Sequence, residues 1–219
     1  MLKKWINEIR QKPDLYRTDC WKYHISGNVI ELSIMSGYLK QKKIYRCSVI
    51  AVGHVLEALS LKIEQKYLNF HIQSFPSLEN PEIVASIRID EKGDFGSKEK
   101  EKIQLRDASA AIRHLANKYQ LEIGVVDQPY EQKLNEIPSQ DYTTWLVVYS
   151  FFNNPFTWLK VGYLVESLRN EYFHQPEDED LYIADLCHLD IDQYLNLPIP
   201  ENRYLQSLIG IQPKNKSAG

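Results

Sequence analysis

Few residues in this sequence stand in a pattern that performs chemistry by itself. Cys187 and His188, with Asp185 and Asp190 close by, are types that could supply a thiol nucleophile and its base or ligate a metal. Neighbouring side chains on a strand or helix point in different directions, so this pair is read as incidental. His54 lies in an apolar run and is read as a satisfied core histidine. Tyr16 and Tyr163 could stack on a ring or act as acids, but core packing is the simpler role for both. The sequence has no G-x-G-x-x-G, no phosphate-binding G-x-x-x-x-G-K-[ST] and no G-x-S-x-G. Lys40, Lys42 and Lys43 form a short basic bridge, expected to be solvated. The 3 cysteines Cys20, Cys47 and Cys187 lack metal-ligand spacing, and their odd number favours reduced thiols. No metal site is therefore expected.

The elements that would position such residues are legible from periodicity. Leu2, Trp5, Ile6 and Ile9 fall at helical spacing over 2–11, and Pro13 stops that helix. Residues 21–25 and 29–34 read as strands of a hairpin turned at Gly27-Asn28, with Trp21, Tyr23 and Ile25 on one face. Residues 49–68 carry an apolar surface too broad for an exposed helix, which predicts a central, buried one. Strands are expected at 69–75 and 83–89, a charged loop across 91–106, and a helix over 107–119. A short helix is expected at 131–137. Residues 145–152 read as a buried strand, Asn153-Asn154-Pro155 as a turn, and 158–171 as a second strong helix. Residues 177–180 are an acidic loop, 205–211 a last strand, and 213–219 a loose polar tail.

The two strong helices echo each other. Val52-Gly53-His54-Val55-Leu56-Glu57-Ala58-Leu59 aligns with Val161-Gly162-Tyr163-Leu164-Val165-Glu166-Ser167-Leu168, with four of eight positions identical at an offset of 109. A glycine near the start of each would allow two crossing helices to approach closely.

Composition narrows the function. A chain of 219 residues, 43% hydrophobic and 25% charged, has ordinary globular composition and enough length for a sizeable core. A net charge of -3 argues against a nucleic-acid partner. No uninterrupted apolar run of about 18 residues is present, and residues 1–10 lack the apolar stretch of a signal peptide, so no membrane partner and a cytoplasmic location are expected.

Arg46-Cys47-Ser48-Val49-Ile50-Ala51-Val52-Gly53-His54-Val55-Leu56, followed by Phe75-Pro76, resembles the first core helix and return strand of the FMN-binding nitroreductase superfamily. Asn154-Pro155-Phe156-Thr157-Trp158-Leu159-Lys160-Val161-Gly162 is similar to that family's D-P-x-x-W-L-x-x-G entry to its second core helix. The likeness is greatest to the branch in which one chain carries two degenerate halves. It implies an α+β fold with a central antiparallel sheet flanked by helices and two long core helices. It also implies a single domain over 1–219, with halves at 1–90 and 107–212. FMN would sit where halves or subunits meet, with a nicotinamide cofactor as hydride donor, in a homodimer or a single-chain pseudo-dimer.

The resemblance also assigns site residues. Pro13, Trp21 and Tyr23 match the family's segment P-S-x-x-N-x-Q-P-W-x-F, but Arg17 and Asp19 stand where it has amides at the flavin ring edge. An amide both donates and accepts; Arg only donates and a carboxylate only accepts. Arg113 and Lys118 would clamp the phosphate from a helix, and Lys214 and Lys216 would complete that end. Two functions follow as expectations. One is an FMN-dependent NAD(P)H oxidoreductase. The other is a flavin-free or flavin-sequestering protein of the same fold, acting as a partner subunit or binding protein.

Overall fold

The structure is a computed structural model that describes residues 1–12, 16–17, 19–77, 79–90, 108–127, 144–172, 181–183 and 199–211. The expected charged loop, short helix at 131–137, acidic loop and tail lie outside these residues, as do Asp185, Cys187, His188 and Asp190.

Helix α1 (Leu2–Arg10) buries Trp5, Ile6 and Ile9, the stripe its spacing requires. Strands β1 (Trp21–Ser26) and β2 (Val29–Ile34) form the hairpin in register Trp21↔Ile34 through Ser26↔Val29. Gly27 takes φ 58 in the two-residue turn, a conformation glycine adopts without strain. Helix α2 (Lys42–Glu64) starts seven residues before its expected beginning at 49 and leads to β3 (Asn69–Ser74) and β4 (Ile83–Asp90). The second half repeats this order. Helix α3 (Ala108–Lys118) precedes β5 (Glu122–Asp127) and β6 (Thr144–Ser150), then α4 (Pro155–Tyr172), β7 (Leu181–Ile183) and β8 (Tyr204–Ile211).

The chain is thus mixed α+β. Among the described residues it has four α-helices and two antiparallel sheets, ordered β1-β2-β4-β3 and β5-β6-β8-β7. One central sheet was expected and two are found. Each half closes its own four strands, and the inner face of each sheet is covered by that half's core helix. Both orders are the same under exchange of halves, and both sheets carry an irregularity at the same place. Leu32↔Ala85 is followed by Ser33↔Ile83, and Val148↔Ser207 by Tyr149↔Leu205, so Val84 and Gln206 are the extra residues of matching bulges.

The core helices pack on each other between two apolar clusters. One joins α1, sheet β1-β2-β4-β3 and α2 with Trp158 and Leu159 of α4; the other joins α3, sheet β5-β6-β8-β7 and α4. At the crossing, a Cβ on Gly162 would lie 2.7 Å from Gly53 Cα and would overlap the Ile50 carbonyl oxygen. A Cβ on Gly53 would lie 3.0 Å from Gly162 Cα and overlap the Leu159 carbonyl oxygen. Only hydrogen at these two positions lets the backbones touch. Helix α2 is long and apolar enough to cross a membrane by length and composition, but 72% of that stretch is buried inside the fold, as a helix between a sheet and a second helix must be.

The helix starts differ. In α4, Asn154 Oδ1 accepts from Thr157 N (3.0 Å) and Thr157 Oγ1 (3.2 Å), and Pro155 takes the first helical position. The N-cap of α2, Gln41, makes no side-chain cap bond, and no acidic residue stands in the first turn.

Candidate functional site

The uncapped start of α2 forms one wall of a cleft of about 520 Å³ lined by Arg17, Asp19, Cys20, Tyr38, Gln41, Lys42, Lys43 and Ile44. Lys42 and Lys43 sit at the positive end of the helix dipole, an unfavourable place for cations, and Arg17 joins them from the segment before β1. Among the described lining residues Asp19 is the only carboxylate, against the three cations Arg17, Lys42 and Lys43. Arg17 has φ 45, a left-handed conformation that costs a non-glycine residue about 1–2 kcal/mol. Cys20 N donates to Arg17 O at 2.9 Å and closes the turn. The Cys20 thiol is free and 1% exposed, 3.6 Å from Asp19 Oδ1. Burial pushes its pKa up, against the opposing charge of Arg17. Cys47 on α2 is disulfide-bonded. The reading of all thiols as reduced is corrected accordingly: the odd count left one cysteine over and said nothing about the other two.

Of the residues assigned by resemblance, Arg17 and Asp19 meet in this cleft. Arg113 and Lys118 do not line it. They lie on the exposed face of α3 in the other half, where Lys118 Nζ sits 4.9 Å over the Tyr119 ring. Lys214 and Lys216 are outside the described residues. Lys42 and Lys43, expected to be merely solvated, join the cleft instead.

Behind the cleft is a buried polar network that sequence spacing does not reveal. Tyr16 Oη donates to Glu166 Oε1 at 3.1 Å across 150 residues of sequence. Arg169 donates to Tyr16 Oη at 2.6 Å and pairs with the Glu166 carboxylate, to which Asn170 Nδ2 also donates at 3.0 Å. Glu166 is 2% exposed. Burial, with the Glu166 charge beside it, pushes the Tyr16 pKa up to about 12. Burial also opposes the charge on Arg169, but Glu166 and Tyr16 outweigh it and the pKa rises. His54 Nδ1 is 3.9 Å from Glu166 Oε2, yet the contact is no ion pair: burial, then the Arg169 charge, lowers the His54 pKa to about 3 and keeps the ring neutral.

The second half contains the counterpart. Tyr119 Oη donates to Glu57 Oε1 at 3.1 Å, and Ser167 Oγ reaches the same oxygen at 2.8 Å. Burial pushes up the Glu57 pKa. Glu57 and Glu166 correspond at the offset of 109, and each is met by a tyrosine from the opposite half. Each tyrosine also precedes a left-handed residue, Arg17 (φ 45) in one half and Gln120 (φ 58) in the other. The helix starts have diverged, however. Lys42 and Lys43 correspond at that offset to Phe151 and Phe152, which are 56% and 62% exposed.

Arg46, part of the stretch that carries the family likeness, serves the fold. It is buried, and its guanidinium crosses to the bulge of β8, donating to Gln206 O (2.7 Å), Leu205 O (3.2 Å) and Gln206 Oε1 (3.3 Å). Burial lowers its pKa to about 10. Among the described residues no group of His, Cys, Asp and Glu side chains is arranged to hold a metal ion. No protein-family model matches the chain, and no curated protein matches it significantly.

Proposed function

We propose that this chain is a nitroreductase-like protein of two degenerate halves whose cleft at the start of α2 binds an anionic ligand without redox turnover. The observation that carries the reading is the cleft itself, where Arg17 and Asp19 meet Lys42, Lys43 and Tyr38 in about 520 Å³. That volume is in the range of small-molecule sites, and the lining favours negative charge with an aromatic wall. The repeated strand order and the glycine crossing support a single-chain pseudo-dimer, because the surface two subunits would share is already filled by the two halves.

The residues do not fit the ring edge of FMN as a redox cofactor. Arg17 offers only donors, and Asp19 offers only acceptors and a negative charge that opposes an electron-rich reduced ring. The cations expected at the phosphate, Arg113 and Lys118, do not line this cleft. No step is therefore derived through a flavin. An FMN-dependent oxidoreductase is the competing reading, and it rests on the family likeness alone.

One experiment separates the two. Purified protein is titrated with FMN, desalted, scanned from about 300 to 550 nm and then mixed with NADPH without oxygen. The proposal expects no bleaching of any retained flavin by NADPH, and at least tenfold weaker FMN retention in Lys42→Glu/Lys43→Glu. Bleaching at a catalytic rate would establish the oxidoreductase instead. A protein that retains neither FMN nor inorganic phosphate would overturn the binding reading.

A further inference from the structure

Tyr16 and Arg17 are adjacent but face different things. Arg17 lines the cleft; Tyr16 is 6% exposed, with its hydroxyl on Glu166 and Arg169 of α4. The left-handed backbone of Arg17 makes this divergence, turning the chain sharply between the two side chains. Tyr16 is held in place from both ends. Its carbonyl accepts from Trp21 Nε1 at 2.8 Å, and Arg169 packs 5.0 Å over its ring. Glu166 is in turn fixed by Asn170 and Arg169 on its own helix. The segment that supplies Arg17, Asp19 and Cys20 to the cleft is therefore tied to the opposite half through the buried hydroxyl and ring of Tyr16.

We propose that Tyr16 and Glu166 form a latch between the halves that holds Arg17, Asp19 and Cys20 in the shape of the cleft. The proposal concerns the cleft of the preceding section, but its test needs no ligand, so it can fail independently of the binding reading. Tyr16 and Glu166 are positioning residues: neither lines the cleft. The counterpart pair, Tyr119 and Glu57, has the same chemistry, and Tyr119 likewise precedes a left-handed residue, but no residue of that pair lines the cleft. It is a control built into the same molecule, because losing either hydroxyl removes a tyrosine-to-carboxylate bond between the halves.

Cys20 reports the latch. Cys20 lines the cleft yet is 1% exposed, so a maleimide reaches its thiol only when the neighbouring turn moves. The labelling rate of Cys20 is followed by peptide mass spectrometry on the unreduced full-length chain, for wild type, Tyr16→Phe, Glu166→Gln and Tyr119→Phe. Loss of the latch bond is expected to raise Cys20 labelling about tenfold in Tyr16→Phe, as one buried hydrogen bond would. Glu166→Gln should do the same, with Tyr119→Phe within about twofold of wild type. Two results would overturn the latch: Tyr16→Phe labelling at the wild-type rate, or Tyr119→Phe speeding Cys20 as much as Tyr16→Phe. Tyr16→Phe keeps its ring and packing, so the comparison of the two tyrosines stands even if Glu166→Gln fails to fold.

Discussion

Replacing Gly53 by alanine should destabilise the protein, although helix propensity alone says the reverse. In an isolated helix, Gly→Ala is favourable by about 1 kcal/mol. Here the new methyl group overlaps the Leu159 carbonyl oxygen and lies 3.0 Å from Gly162 Cα. These are backbone atoms and cannot rotate aside, so the helices must separate by about 1 Å to restore ordinary contact of 3.5–4.0 Å. Overpacking of this kind costs about 3 kcal/mol, the upper end of the usual range. Subtracting the propensity gain leaves a net loss of about 2 kcal/mol, or a fall in Tm of about 4–8 °C for a chain of this size. Gly162→Ala should behave alike. The double variant should lose less than the sum of the two, because the first separation makes room for the second methyl. Gly37→Ala, where a Cβ meets nothing within 4 Å, is the control and should stay within about 0.5 kcal/mol. The assay is urea unfolding followed by circular dichroism. A neutral or stabilised Gly53→Ala would refute the close crossing and the packing built on it.

Arg46→Ala should cost about 3 kcal/mol in the same assay, because the β8 bulge carbonyls lose a charged donor inside the fold. An effect under about 1 kcal/mol would show that those carbonyls find other partners. Asn154→Ala removes the acceptor at the start of α4 and should cost about 1 kcal/mol, whereas Gln41→Ala, which removes no cap bond, should be nearly neutral. Equal effects of the two would refute the difference in capping. For His54, the folded pKa of about 3 lies below the ordinary histidine value of 6.5, so the unfolded chain binds the extra proton between these values. The stability from neutral His54 is complete above pH 6.5 and is lost as pH falls toward 3, by up to about 1.4 kcal/mol per pH unit. His54→Asn should flatten that part of the stability profile relative to wild type, and parallel profiles would show that His54 stays accessible to protons in the fold.

Local patterns carried much of the fold. The Gly27-Asn28 turn between alternating strands and the stripe of Trp5, Ile6 and Ile9 are short-range signals, and both elements stand as expected. The repeated glycine of the core helices also pointed to a close crossing. Strand β5 escaped because Gly124 interrupts a six-residue run directly after a helix, and β7 because three residues make no periodicity. The early start of α2 was hidden by Arg46 and Ser48, polar residues that periodicity assigns to solvent but the fold buries. Arg17 and Asp19, which the family likeness singles out, do come together in one cleft. Lys42 and Lys43 carried a signal that was passed over: two cations at an uncapped helix start are locally costly, and a locally costly choice often marks a site. Tyr16 and Glu166 left no such trace. Their partnership spans 150 residues, and nothing within either neighbourhood requires it.

The glycine crossing also sets a timetable. Its two halves are 109 residues apart, so on a ribosome adding about 5–20 residues per second the first core helix waits roughly 5–20 s for the second. Throughout that wait the nascent first half can complete its sheet while the outer face of α2 stays wet and apolar, a surface open to other nascent chains or to chaperones. A slow, long-range closing step follows from the same geometry. The misfolded by-product should therefore be first halves paired between different chains through the face that Gly162 was meant to cover, and weak expression, which leaves few such halves exposed at once, should reduce it.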